Sequence, residues 1–324
     1  MMISCKNNIM LAQARQARFQ PKLILQILLF VAVFSVGSAI TTAILTGPIV
    51  VSIFTDSQLL EAIAAGDATT AASLAMSVME KPWLMLLNLF CTVATTLACF
   101  VYCRKIERRS WASMGFRKSG WIGRYLKGYA IGTGMLLLCA LIAWLMGDLD
   151  FAFSEKIPVF YILAFFVGFL LQGMSEEVVV RGYFMVSLSN RCHVAVAVGI
   201  SSVAFAMLHL GNPGISLLAL LNLTLFGVFM AVYVLRTDDL WGACAIHSAW
   251  NFAQGNLVGI QVSGTGNLPT VAMMQPQGEF ALFHGGDFGL EGGLIVTLVT
   301  LAAIALTLFL PQKAKKEDAQ ELPG

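Results

Sequence analysis

The chain has 324 residues, of which 58% are hydrophobic and only 12% charged, with a formal net charge of +2. Soluble domains carry about 25% charged residues, so this composition excludes an ordinary soluble globule and predicts an all-α, polytopic membrane helix bundle. The apolar runs are continuous rather than alternating, which argues against a transmembrane β-barrel.

A spanning helix needs roughly 20 apolar residues, and about eight transmembrane helices are expected. They form a membrane bundle over 23–311, between an N-terminal segment 1–22 and a tail 312–324. The first segment, 23–46, has no small-residue cleavage site before or after it and reads as a retained helix rather than a signal peptide. The stretch 47–82 is rich in Ala, Ser and Thr, mildly acidic, and has room for one amphipathic helix. The second segment is 83–103. After it, residues 108–127 mix Trp111, Met114, Phe116, Trp121 and Tyr125 with basic residues, the pattern of a short helix lying in the membrane interface.

The third and fourth segments are 127–147 and 158–175. The fourth is expected to run on as helix to about Ser189, because Gly182 alone is a weak breaker in a membrane helix. Segments 194–210, 214–235 and 240–259 follow, then a Gly-rich stretch, 260–290, read as a loop outside the bundle that can cover a site. The last segment is 291–311. No internal repeat is visible.

Lysine and arginine concentrate on one side. Lys6, Arg15, Arg18 and Lys22 precede the first segment, and eight basic residues lie in 104–127. Arg191, Arg236, Lys313, Lys315 and Lys316 follow on the same side. The other side carries Lys81 and Lys156 among several acids. The positive-inside rule then places both termini in the cytoplasm, and the expected location is a bacterial cell (inner) membrane. The basic residues sit beside helix ends, so their partner is membrane lipid and no nucleic acid is expected. The seven cysteines are scattered without a CxxC pair and read as buried free thiols.

Ionisable groups at bilayer depth are costly and mark function. Glu176, Glu177 and Arg181 continue the fourth segment directly. Glu177 and Arg181 are spaced i,i+4 and can pair, which lowers the cost of holding both in the membrane. Glu176 points about 100° away around the helix and is expected to lack a local partner, free to act as a general base. Phe205 and His209 share a face of the fifth segment, and His247 and Asn251 share a face of the seventh. His193 and His284 are expected at the surface or interface, without a role.

The motifs EExxxR (Glu176, Glu177, Arg181), FxxxH (Phe205, His209) and HxxxN (His247, Asn251) occur in this order on three apolar segments. In this arrangement the chain resembles the CPBP family, the CAAX-protease and bacteriocin-processing intramembrane proteases, also called the Abi family. The resemblance covers roughly 80–310, with a catalytic core about 155–260. It implies an intramembrane endopeptidase that cleaves a membrane-associated protein or peptide. Glu176 would activate water, and His209 would assist it or bind a metal. His247 and Asn251 would stabilise the oxyanion or complete a metal site. Glu177, Arg181 and Phe205 would support them.

Two histidines and a glutamate can make an open divalent metal site such as Zn, and the same atoms can work without metal. No HExxH helix or serine-hydrolase motif is present. Two other readings stay open at this level. One is a non-catalytic membrane scaffold of the same fold. The other is a proton-coupled transporter, which the lack of paired broken helices disfavours.

Overall fold

The structure, a computed structural model, describes residues 8–277 and 281–309. Within the described residues, each of the eight predicted segments contains a helix. A short helix α1 (Ile9–Ala14) precedes α2 (Leu23–Phe54). The helices α3 (Ser57–Ala64) and α4 (Ala68–Met79) follow. Helices α5 (Pro82–Cys91) and α6 (Val93–Val101) form one span that ends in a π-helical turn, Tyr102–Ile106. Then come α7 (Trp121–Leu145) and α8 (Val159–Glu177), the latter continued by a π-helical segment, Val178–Met185, and α9 (Val186–Leu188). The remaining helices are α10 (Val194–Met207), α11 (Leu217–Thr237), α12 (Trp241–Phe252) and α13 (Leu294–Phe309).

Among the described residues, five helical spans are long and apolar enough to cross a membrane: Leu23–Phe54, Pro82–Ile106, Trp121–Leu145, Val159–Leu188 and Leu217–Thr237. Their outward faces expose large apolar side chains such as Ile24, Phe160 and Leu217, as lipid contact requires. The chain is therefore an integral membrane protein with an all-α bundle. The helices α10 and α12, of 14 and 12 residues, are shorter than a full span. Irregular backbone at membrane depth is tolerated where protein surrounds it, and α12 is buried along its whole length from Gly242 to Phe252.

Small residues set α12 into the centre. A Cβ at Gly128 of α7 would lie 2.3 Å from the Gly242 carbonyl oxygen, and one at Gly132 only 2.2 Å from that of Ile246. On the other side, a Cβ at Gly173 of α8 would come within 2.5 Å of Ser248 Oγ. Such close backbone approach is how helices associate where lipid removes the hydrophobic drive. It also holds α8 and α12, the carriers of the glutamate and histidine motifs, at a short fixed separation.

The basic end of the bundle is closed. Arg109 is buried and donates to the carbonyls of Ser113 (2.7 Å) and Gly182 (2.8 Å) and to Ser187 Oγ (3.0 Å). Across this end lies α1, with Met10, Leu11 and Ala14 buried. Asp238 accepts the Ile9 and Met10 amides, and Asn8 Nδ2 donates to the Leu235 carbonyl.

Several loop expectations are corrected. Residues 108–127 do not form an interfacial helix. A single 3-10 turn (Ala112–Met114) ends at Gly115, whose φ of 86° is left-handed, and Trp121 already opens α7. Turning Arg109 inward to its carbonyl partners is incompatible with a helix lying on the surface. The stretch 47–82 holds the end of α2 and two further helices, each capped by an aspartate: Asp56 accepts the Leu59 amide and Asp67 the Thr70 amide. The stretch 260–290 is not wholly loop. Its strand β2 (Ala272–Pro276) pairs antiparallel with β1 (Leu149–Phe153), in the register Leu149↔Pro276 to Phe153↔Ala272. His284 is buried, not superficial. The tail 312–324, with Lys313, Lys315 and Lys316, lies outside the described residues, as do Cys5 and Lys6. The six described cysteines are free, five buried and Cys192 half-buried.

Candidate active site

The three motifs converge. Glu176, Phe205, His209, His247 and Asn251 all line one cavity of about 590 Å³. Glu177 and Arg181 lie behind it, with no side-chain exposure.

On α8 the two adjacent glutamates divide as helix geometry requires. Glu177 turns inward, and its Oε1 accepts from Arg181 Nη1 at 2.9 Å and contacts His247 Nδ1 at 2.8 Å. Glu176 turns to the cavity and is half-buried. Its expected lack of a local partner is corrected: Gln172, one turn earlier, donates from Nε2 to Glu176 Oε1 at 2.5 Å. The other oxygen, Oε2, is buried without a hydrogen bond and lies 3.5 Å from His247 Nε2. The α-helix gives way to the wider π-helical segment directly after Glu177, a distortion frequent at functional sites.

His247 is thus held between two carboxylates. A carboxylate at Nδ1 fixes the proton there and turns Nε2 towards the cavity. The rings of Phe205 and Phe226 meet the imidazole edge-on, with centroids 5.9 and 5.4 Å away. One turn on, Asn251 donates from Nδ2 to Gln172 Oε1 at 2.9 Å. Gln172 therefore links Asn251 to Glu176, and its amide orientation follows from those two partners.

Phe205 has a clear part. The Arg181 guanidinium sits 4.6 Å over its ring, a cation–π contact, and the ring also packs on His209 at 4.9 Å. Its carbonyl contacts His209 Nδ1 at 2.9 Å. A carbonyl only accepts, so Nδ1 carries the proton and Nε2 is left with its lone pair. The helix α10 stops at Met207, so His209 sits in the turn just beyond it, half-buried.

Two further polar residues belong to this region and escaped the sequence reading. Gln172 could have been found by its i,i+4 spacing from Glu176 within an apolar run. Glu291 lines the same cavity from the far side. It accepts from Trp250 Nε1 (3.2 Å), the Ser263 amide (2.7 Å) and Ser263 Oγ (2.6 Å). It thereby pins the 258–268 loop to α12. No local spacing connects Glu291 with α12, so nothing in the sequence marked it.

A metal would need three converging donors. Among the described residues no group of three His, Cys, Asp or Glu is placed to hold one; with Nδ1 of His209 and of His247 engaged, the Nε2 atoms are their available donors.

Comparison with known proteins agrees with the geometry. Residues 158–253 match the family model described as Type II CAAX prenyl endopeptidase Rce1-like. The match spans under a third of the chain but includes every motif residue named above. It supports a CAAX-type intramembrane protease and peptidase activity. No curated protein and no solved structure matches the chain.

Proposed function

We propose, from the match of residues 158–253 to the Rce1-like endopeptidase family model, that the protein is an intramembrane endopeptidase in which Glu176 activates the attacking water. The observation that carries this reading is the cavity-lining Glu176 carboxylate, whose Oε2 is buried and free of hydrogen bonds beside His247 Nε2. A water in the cavity gives its proton to the Glu176 carboxylate as its oxygen attacks the scissile carbonyl. The lone pair on His209 Nε2 helps to orient that water. The oxyanion that forms is met by His247 Nε2, when the ring carries both protons, and by the second N–H of Asn251 Nδ2. Glu176 then returns the proton to the leaving amine as the C–N bond breaks. Glu177 balances the charge of the His247 ring and Arg181 in turn balances Glu177. Gln172 holds Glu176 and Asn251 in register.

The substrate class is a membrane-associated protein or peptide, in a bacterial cell membrane with both termini of the chain cytoplasmic. A divalent metal held by His209 and His247 is a separate proposal, decided by chelation. Detergent-purified protein is assayed with fluorogenic peptides, prenylated and plain, for the wild type and Glu176→Ala, with and without phenanthroline. Hydrolysis by the wild type that is absent in Glu176→Ala supports the reading. Loss to phenanthroline that zinc restores would assign the metal. Peptide binding with no hydrolysis in any arm would turn the reading towards a scaffold.

A further inference from the structure

The cavity has one closed end and one open end, and the charge pattern says which side each faces. Towards the basic end, every residue from Val178 to Ser189 is buried. Beyond them the Arg109 network and α1 seal the bundle. Among the described residues, no passage for a peptide runs from Glu176 in that direction.

In the opposite direction the cavity passes Gln172 and Phe169 and reaches Met79, Glu80 and Gly266. Met79 is 50% exposed, so this end is the mouth. It is formed by the end of α4, the start of α5 and the 258–268 loop. These elements lie at the end of the bundle that carries Asp56, Asp67, Asp148, Asp150 and Glu155. Arg15, Arg18, Lys105, Lys118 and Arg191 lie at the sealed end. Basic ends stay in the cytoplasm.

We infer that the site admits its substrate from the acidic end, so that the peptide cleaved is an extended segment of a polypeptide presented on the extracytoplasmic side of the membrane. This rests on the proteolytic reading above and narrows it. A cytoplasmic C-terminal tail would have to pass the sealed end. A translocated or membrane-tethered chain meets the mouth directly. The cavity, at about 590 Å³, is of the size that takes a drug-sized ligand, so it holds a few residues of the chain rather than a folded domain.

The test uses the full-length protein in cells, with Cys5 and Cys192 replaced by serine. Met79→Cys at the mouth and Lys118→Cys at the sealed end are each exposed to a membrane-impermeant maleimide. Met79→Cys should label in intact cells as fully as after permeabilisation, and Lys118→Cys only after permeabilisation. The reverse pattern overturns the inference. In a second arm, right-side-out membrane vesicles receive a quenched peptide that cannot cross a bilayer. Cleavage by sealed vesicles, lost in Glu176→Gln, supports the inference. Cleavage only after permeabilisation overturns it while leaving the protease intact. No cleavage even in detergent, with Met79→Cys labelled from outside, overturns the proteolytic reading and leaves the side of the mouth established.

Discussion

Arg181 offers the sharpest test of how the site is held together. Its guanidinium and the Glu177 carboxylate are both without exposure, 2.9 Å apart, and the cation also covers the Phe205 ring at 4.6 Å. Arg181→Ala leaves the Glu177 charge buried with only His247 to answer it. Breaking a buried pair from one side costs about 3–5 kcal/mol, and the lost cation–π contact pushes the value towards the upper end of that range. Glu177→Leu alone should cost a similar amount, by stranding Arg181. Glu177→Leu with Arg181→Met removes both charges at nearly constant volume, and most of the stability should return. Turnover should not return, because His247 Nδ1 has then lost its acceptor; such supporting partners carry about 10–100-fold. The assay is denaturant unfolding of the four detergent-purified proteins by tryptophan fluorescence, alongside peptide hydrolysis. Single costs that simply add in the double variant, or an Arg181→Ala cost below about 1 kcal/mol, would refute the pairing argument.

Glu176→Gln keeps shape and hydrogen bonding to Gln172 but removes the base, so kcat should fall by about 10²–10⁴-fold with unfolding unchanged. Gln172→Leu lets Glu176 and Asn251 drift; kcat should drop by up to about 100-fold with little change in KM, and steady-state kinetics separate the two. Gly132→Val drives a side chain into the Ile246 carbonyl and should cost about 1–3 kcal/mol or more, read in the same unfolding assay. Asp239 lies between α11 and α12, where burial pushes its carboxyl above the usual range, although Arg124 and the Gly242 amide pull the other way. The folded state therefore binds the proton more readily than the unfolded one. Stability from this group is present at acid pH and is lost as pH rises through the raised value. Asp239→Asn should flatten that part of a stability–pH profile.

The bundle was legible because a membrane helix announces itself by length and apolarity, and within the described residues each of the eight segments contains a helix. The end of α2 past Pro48 was not anticipated, nor was the β1–β2 pair. Both depend on partners far away in sequence: Phe153 meets Ala272 across the whole catalytic region. Residues 108–127 show the opposite error. Aromatic and basic residues there suggested a surface helix, but Arg109 finds its carbonyls inside, at Gly182 and Ser113. At the site, i,i+4 spacing foretold the Glu177–Arg181 pair and the shared faces of Phe205 with His209 and His247 with Asn251. It did not show that Glu177 would also hold His247, since the approach of α8 to α12 is set by Gly173 against Ser248.

The seal at the basic end also bears on how the chain is made. Asp238 receives α1 across a separation of 229 residues, and at translation rates of about 5–20 residues per second that gap lasts on the order of 10–50 s. Through that interval α1 has the Ala112–Met114 turn and α9 to pack on but not its Asp238 cap, and the closure of the basic end of the growing bundle stays incomplete. The docking of α1 onto the 235–238 turn is thus a late step of biogenesis, and a bulky fusion ahead of Asn8 should leave the helices inserted but that end unsealed.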